Sequence, residues 1–203
     1  MIHIEFLVEE LSAEVVLQAI LPKILGAQAT FEIHIYQGKP DLMSKLESRL
    51  RGYRKWIPEN YRIVVLIDED RKDCHEQKQQ LENAAKKAGF ITKSSRKPGQ
   101  KFQVLNRLAI EEIEAWFFGD SEAIARAYPK LSKLSKKAKY KDPDAIRGGT
   151  WESLERELQR AGYHGGGMPK ILTAREIAAH MDPDRNRSGS FKVFREGLLA
   201  MMR

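Results

Sequence analysis

Three acidic residues in a row, Asp68-Glu69-Asp70, end the run Arg62-Ile63-Val64-Val65-Leu66-Ile67. Five consecutive apolar residues, four of them β-branched, read as a short strand buried on both faces rather than as helix. Extended backbone sends successive side chains to opposite faces, so Asp68 and Asp70 point one way and Glu69 the other. Open parallel sheets bind ligands at the carboxyl ends of their strands, where this pair would lie. Like charges held close repel, and a divalent cation between them removes that cost. Oxygen donors of this kind are what hard Mg²⁺ takes. The structural alternative is an acidic loop that stops the strand and caps the next helix.

The same layout opens the chain. Ile2, Ile4, Phe6 and Val8 alternate with His3, Glu5 and Leu7, and Glu9-Glu10 follow. A parallel sheet would gather Glu9, Asp68 and Asp70 along one edge, which makes them the one coherent group of candidate ligands. Glu10 supplies a further carboxylate. Glu111 and Glu114, three apart on one expected helical face, could join the group or form a solvated surface. Lys39, just past a third strand end in Gln37-Gly38-Lys39, could neutralise developing phosphate charge or stand as an exposed turn lysine.

The elements that must position these residues can be read in order. A helix over 14–24 follows the first strand, with Ser12 as its cap, Pro22 near its end and Gly26 closing it. Phe31 to Tyr36 alternates cleanly, as a peripheral strand does. Leu42, Leu46, Leu50, Tyr53 and Ile57 recur at helical spacing. After Asp70 a polar-faced helix over 74–88 stops at Gly89. Phe90-Ile91-Thr92 suggests a short strand and Phe102 to Leu105 a fourth. Ile110, Ile113, Trp116 and Phe117 predict the apolar stripe of a helix carrying Glu111, Glu112 and Glu114. This order implies a three-layer α/β arrangement with a mostly parallel sheet over 1–120. Residues 121–203 read as a helical C-terminal region packed on it.

The 203 residues are long enough for a substantial core, and no apolar stretch approaches membrane-spanning length. The lone cysteine, Cys74, rules out an internal disulfide and fits a reducing, cytoplasmic setting. A net charge of +7 suggests a polyanionic partner. The basic residues cluster: Lys133, Lys136, Lys137 and Lys139 fall in a stretch from 130 to 141 without an acid. They could track the phosphate backbone of DNA or RNA, or form a solvated loop. Arg185 and Arg187, near the start of the last expected helix, could form an anion-binding turn, against a purely structural one. Asp182 to Ser188 lacks the glycine and glutamate of a calcium loop. Cys74-His75 and the scattered histidines give no zinc spacing. No glycine cluster matches a phosphate loop, and there is no Gly-x-Ser-x-Gly elbow.

A strand ending in Val-Glu, followed some sixty residues later by a strand ending in Asp-x-Asp, resembles the Toprim domain of topoisomerases, bacterial primases and overcoming-lysogenization-defect nucleases. The chain is more closely similar to a bacterial Toprim-like family, domain of unknown function 4276. The matching stretches are Ile4 to Glu10, Gln37-Gly38-Lys39, the Asp68 strand, Glu111 to Trp116 and His180-Met181-Asp182-Pro183. The resemblance implies that Glu9 is the Toprim glutamate and that Asp68 and Asp70 bind metal. Glu10 stands where many Toprim domains have glycine, which bears on catalysis more than on fold. The expectation is a Mg²⁺- or Mn²⁺-dependent nuclease on DNA or RNA, by analogy a defence-system effector with an ATPase partner. The alternative is a non-catalytic module that binds nucleic acid or a protein. Transfer to a small phosphorylated substrate is a weaker third reading.

Overall fold

The apolar runs become a four-stranded, all-parallel sheet in a computed structural model that describes residues 1–203. Its strands are β1 (Ile2–Val8), β2 (Ala29–Ile35), β3 (Tyr61–Asp68) and β4 (Val104–Ala109), in spatial order β2-β1-β3-β4. Helices α1 (Leu11–Leu25), α2 (Lys39–Trp56) and α3 (Cys74–Lys87) lie between them in the chain. Parallel neighbours need such crossovers, because a tight hairpin joins only antiparallel strands. Helices flanking a parallel sheet make this the three-layer α/β class.

β1 is central, paired with β2 from Ile2↔Ala29 to Val8↔Ile35 and with β3 from His3↔Tyr61 to Val8↔Leu66. This register makes β1 and β3 finish side by side, so residues 9 and 68 emerge at the same edge. Ile63 to Ile67 are each at most 2% exposed, as a run without alternation requires. Leu7, Ile63, Val65, Ile67 and Val104 share one core with Leu42, Leu46, Leu50 and Tyr53 of α2 and Leu81 and Ala85 of α3. Each such buried side chain contributes about 1.5–3 kcal/mol, which fixes both helices to the sheet. β2 is half-exposed, the pattern its alternation predicts.

The strand after 90, the fourth strand and the helix after it need correction. The fourth strand runs over Val104–Ala109 rather than ending at Leu105. Polar Asn106 and Arg107 hide it in the sequence, yet both are buried: Asn106 Nδ2 donates to Glu82 Oε1 at 3.0 Å, and its carbonyl accepts from Lys78 Nζ at 2.8 Å. The Phe90 stretch contributes only a single bridge, Thr92 to Val104. The last correction concerns Glu111, whose φ of 60° is left-handed and incompatible with helix. The expected helix therefore shortens to α4 (Ala115–Gly119), and Glu111 and Glu114 do not share a helical face.

The chain divides into two compact units interleaved in sequence. One comprises Met1–Glu10, Leu25–Leu108 and Glu196–Arg203; the other comprises Leu11–Ile24 and Ala109–Arg195. The second contains α4, α5 (Ser121–Ala127), α6 (Thr150–Arg160) and α7 (Lys170–His180), and most of α8 (Gly189–Met201). Trp116 anchors it, with Phe191 and Phe194 ring centroids at 5.1 and 5.0 Å and its Nε1 donating to Ser190 Oγ at 3.0 Å. Gly119 is required there: a Cβ would lie 2.0 Å from Asn186 Oδ1. Glu112 reaches α6, accepting from Thr150 Oγ1 at 2.7 Å and from the Trp151 N–H at 2.9 Å. No helix is long and apolar enough to cross a membrane.

Candidate functional site

The carboxyl ends of β1 and β3 carry the acidic residues, and the sheet register sets their contacts. Glu9 is buried, and its Oε1 accepts the Asp68 backbone N–H at 2.7 Å. The Glu9 carbonyl accepts the Gly38 N–H at 2.8 Å, which ties the turn after β2 to the same edge. Gly38 holds φ at 85°, a left-handed value, and so turns the chain directly into α2. That turn delivers Lys39, the first residue of the helix, into the acidic edge.

The Lys39 ammonium donates to the Asp68 carbonyl, meets Gln77 Oε1 at 3.0 Å and pairs with Asp70 Oδ2 at 2.8 Å. An ammonium has three protons, so all are engaged. Gln77, from the first turn of α3, also donates from Nε2 to the Glu69 carbonyl at 2.9 Å. The backbone leaves the strand through two consecutive left-handed residues, Asp70 at φ 53° and Arg71 at φ 57°. Asp tolerates this conformation better than most residues, whereas Arg pays for it, and such strain concentrates at functional sites.

Burial pushes the Glu9 carboxyl up to about 7, and the charges of Asp70 and Glu10 add to that rise. The hydrogen bond from Asp68 and the nearby Lys39 charge oppose it without cancelling it. Capping of the following helix falls to Asp73, whose Oδ1 accepts from the N–H groups of His75 and Glu76 at 2.8 and 3.2 Å. Asp73, and not Asp68 or Asp70, thus caps α3. Glu9, the half-buried Glu10, Asp68 and Asp70 bring carboxylates to one strand edge, and carboxylate oxygen is the donor type a hard divalent cation takes.

The structure therefore brings Glu9, Glu10, Lys39, Asp68 and Asp70 to one strand edge. Glu111 and Glu114 belong to the other compact unit, where Glu114 is buried with Lys170 Nζ 3.7 Å from its Oε1. Sequence reading missed Gln77, which braces both Lys39 and the strand end. Its only signal is its place one turn into the helix after the acidic loop.

The basic candidates divide likewise. The lysine stretch winds through short 3₁₀ turns pinned by buried Leu131, Leu134 and Tyr140. Lys137 and Lys139 pair with the buried Glu157, which also accepts from the Tyr140 hydroxyl at 2.9 Å. Lys133 and Lys136 are exposed. Arg185 is held by Asp120 through Nε at 2.7 Å and Nη2 at 2.9 Å, so this arginine serves an internal contact. Arg187 is exposed, and its N–H donates to the Gly119 carbonyl at 3.0 Å.

A family model described as Domain of unknown function (DUF4276) matches residues 8–199. No curated protein and no solved structure matches the chain.

Proposed function

The chain belongs to the DUF4276 family, and from that premise we propose that it hydrolyses phosphodiesters of DNA or RNA with Mg²⁺ or Mn²⁺. The observation that carries this reading is the convergence of Glu9, Asp68, Asp70 and Lys39 at one strand edge. The arrangement resembles the Toprim domain, including that of overcoming-lysogenization-defect nucleases. A bound cation would supply the charge that activates water and stabilises the leaving oxygen. Asp68, Asp70 and Glu9 are the residues to hold it. Asp70, whose side chain is 48% exposed, is the partner of Lys39 that can turn to a cation. Lys39 then offers its ammonium to the phosphoryl oxygens, where negative charge accumulates as water adds to phosphorus. The ester bond breaks and its oxygen takes up a proton. By the same analogy the protein works as a defence-system effector beside an ATPase.

The test joins binding to chemistry. Mg²⁺ or Mn²⁺ at a hundredfold excess over Kd should stabilise the protein by about 2.7 kcal/mol. Asp70→Asn should abolish that increment and the cleavage of DNA and RNA together. If neither metal moves the melting transition, a non-catalytic module is the better reading. Lys39 favours that second reading in one respect, since it already compensates Asp70 without a metal.

Nucleic acid as substrate makes a separate demand on the basic stretch. Lys133→Ala and Lys136→Ala should each flatten the dependence of log affinity on log salt by about one. Lys137→Ala and Lys139→Ala should change it less, because both lysines face Glu157. An unchanged salt slope in the first pair would make the stretch a solvated loop.

A further inference from the structure

We propose that His3, Glu5 and Glu32 form a zinc site on the β1–β2 side of the sheet, with His34 braced against Glu5. The sheet register brings them together: His3 pairs with Thr30, Glu5 with Glu32 and Leu7 with His34. Residues two apart on a strand share a face, so these side chains stand in one row across two strands. No sequence motif records this, because the two histidines are on different strands joined by a helical crossover. Imidazole nitrogen and carboxylate oxygen are both zinc donors.

The spacing fits the ion. Candidate donor atoms of His3, Glu5 and Glu32 all lie within 4.8 Å of one another. His3 Nε2 is 3.5 Å from Glu5 Oε1, and a tetrahedron with bonds of about 2.0–2.1 Å has edges of roughly 3.4 Å. His34 Nε2 contacts the other Glu5 oxygen and braces that carboxylate, so His3, Glu5 and Glu32 offer one nitrogen and two carboxylates and leave a fourth position to water. Glu5 is only 4% exposed, with the Arg49 guanidinium near it and the His34 and Tyr53 side chains bonded to it.

Each inner donor is also steered from behind. His3 Nδ1 is 2.7 Å from Thr30 Oγ1, and with Nδ1 as donor the Nε2 lone pair faces Glu5. Tyr53 donates its hydroxyl to Glu5 Oε2 at 3.2 Å. Orienting contacts of this kind accompany bound zinc almost universally. A cavity of about 570 Å³, lined by His34, Tyr36, Arg49, Tyr53 and Trp56, opens beside the His34 and Tyr53 side chains that hold Glu5. Glu5 lies four residues before Glu9 on an extended strand, about 13 Å away, so this site is separate from the Asp68 edge.

The experiment titrates Zn²⁺ into the chelator-treated full chain, with Co²⁺ as a spectroscopic probe. The expected result is one saturable Zn²⁺, a raised melting temperature and the intense visible bands of tetrahedral Co²⁺. Glu32→Gln, an exposed change that spares the core, should weaken binding at least about tenfold. The paired change His3→Gln with His34→Gln should abolish the Co²⁺ bands while circular dichroism stays that of the parent. Asp70→Asn should leave Zn²⁺ affinity unchanged. Absence of saturable binding would overturn the proposal, as would binding that survives both the Glu32 and the paired histidine changes. Neither outcome touches the Mg²⁺ reading of the other edge.

Discussion

In chelator-containing buffer, Glu9→Gln should be about 3 kcal/mol more stable than the parent at pH 8 and equal to it at pH 4. Burial lifts this carboxyl from an ordinary 4.5 to about 7, so the folded chain keeps a proton that the unfolded chain has released. Between those two values the folded state binds more protons, and its stability therefore falls as pH rises. The favourable contribution is complete below 4.5 and gone once pH passes 7. Glutamine keeps an oxygen for the Asp68 N–H and cannot ionise, so the variant escapes the loss. Urea midpoints across this range, read as the difference between variant and parent, isolate Glu9 from every other titrating group. A difference that stays flat with pH would show that the buried carboxylate costs nothing.

The second large effect is expected at Asp120. This side chain is almost fully buried and accepts from the Ala123 and Asp182 N–H groups at 3.3 and 2.8 Å, besides its two bonds from Arg185. It caps α5, holds the turn at 182–185 and neutralises a guanidinium at once. Asp120→Ala should cost about 3–5 kcal/mol, since it removes two charged hydrogen bonds and leaves the Ala123 and Asp182 N–H groups without acceptors. Arg185→Ala should cost less, because its side chain is 30% exposed. The double variant should recover part of the sum, a coupling read from denaturation of all four proteins. A loss under about 1 kcal/mol for Asp120→Ala would mean that water replaces these bonds.

The main features of the first unit were legible because its strands are written in unmixed patterns. An unbroken apolar run gave β3, and alternation gave β1 and β2. Repetition of the strand-then-carboxylate layout was enough to place Glu9 with Asp68, because a parallel sheet leaves little choice of edge. What stayed hidden depends on contacts distant in the chain. Asn106 and Arg107 look like a strand's end, yet both are buried, with Lys78 bonding the Asn106 carbonyl and Glu82 accepting from its side-chain amide. Glu111 to Glu114 keep a helical period, yet the left-handed backbone at Glu111 breaks it and Glu112 is drawn to α6. Asp120 gave no sign of its role, since its partner lies 65 positions later. The same is true of Glu157, which collects Lys137 and Lys139 from a stretch that reads as free positive charge.

The interleaving of the two units also sets a timetable for synthesis. Glu196–Arg203 belongs to the same unit as β1 and β3, and the fit there is close: a Cβ on Gly197 would come within 2.8 Å of Leu105 Cδ2. A ribosome delivers β4 long before that last segment, and at about 5–20 residues per second the intervening 109–195 stretch takes several seconds. Throughout that interval the first unit lacks the piece that closes over Leu105. The nascent chain thus cannot mature one unit at a time from its amino terminus. It must hold unfinished apolar surface until 196–203 has been made, which is the period when a holding chaperone has something to bind.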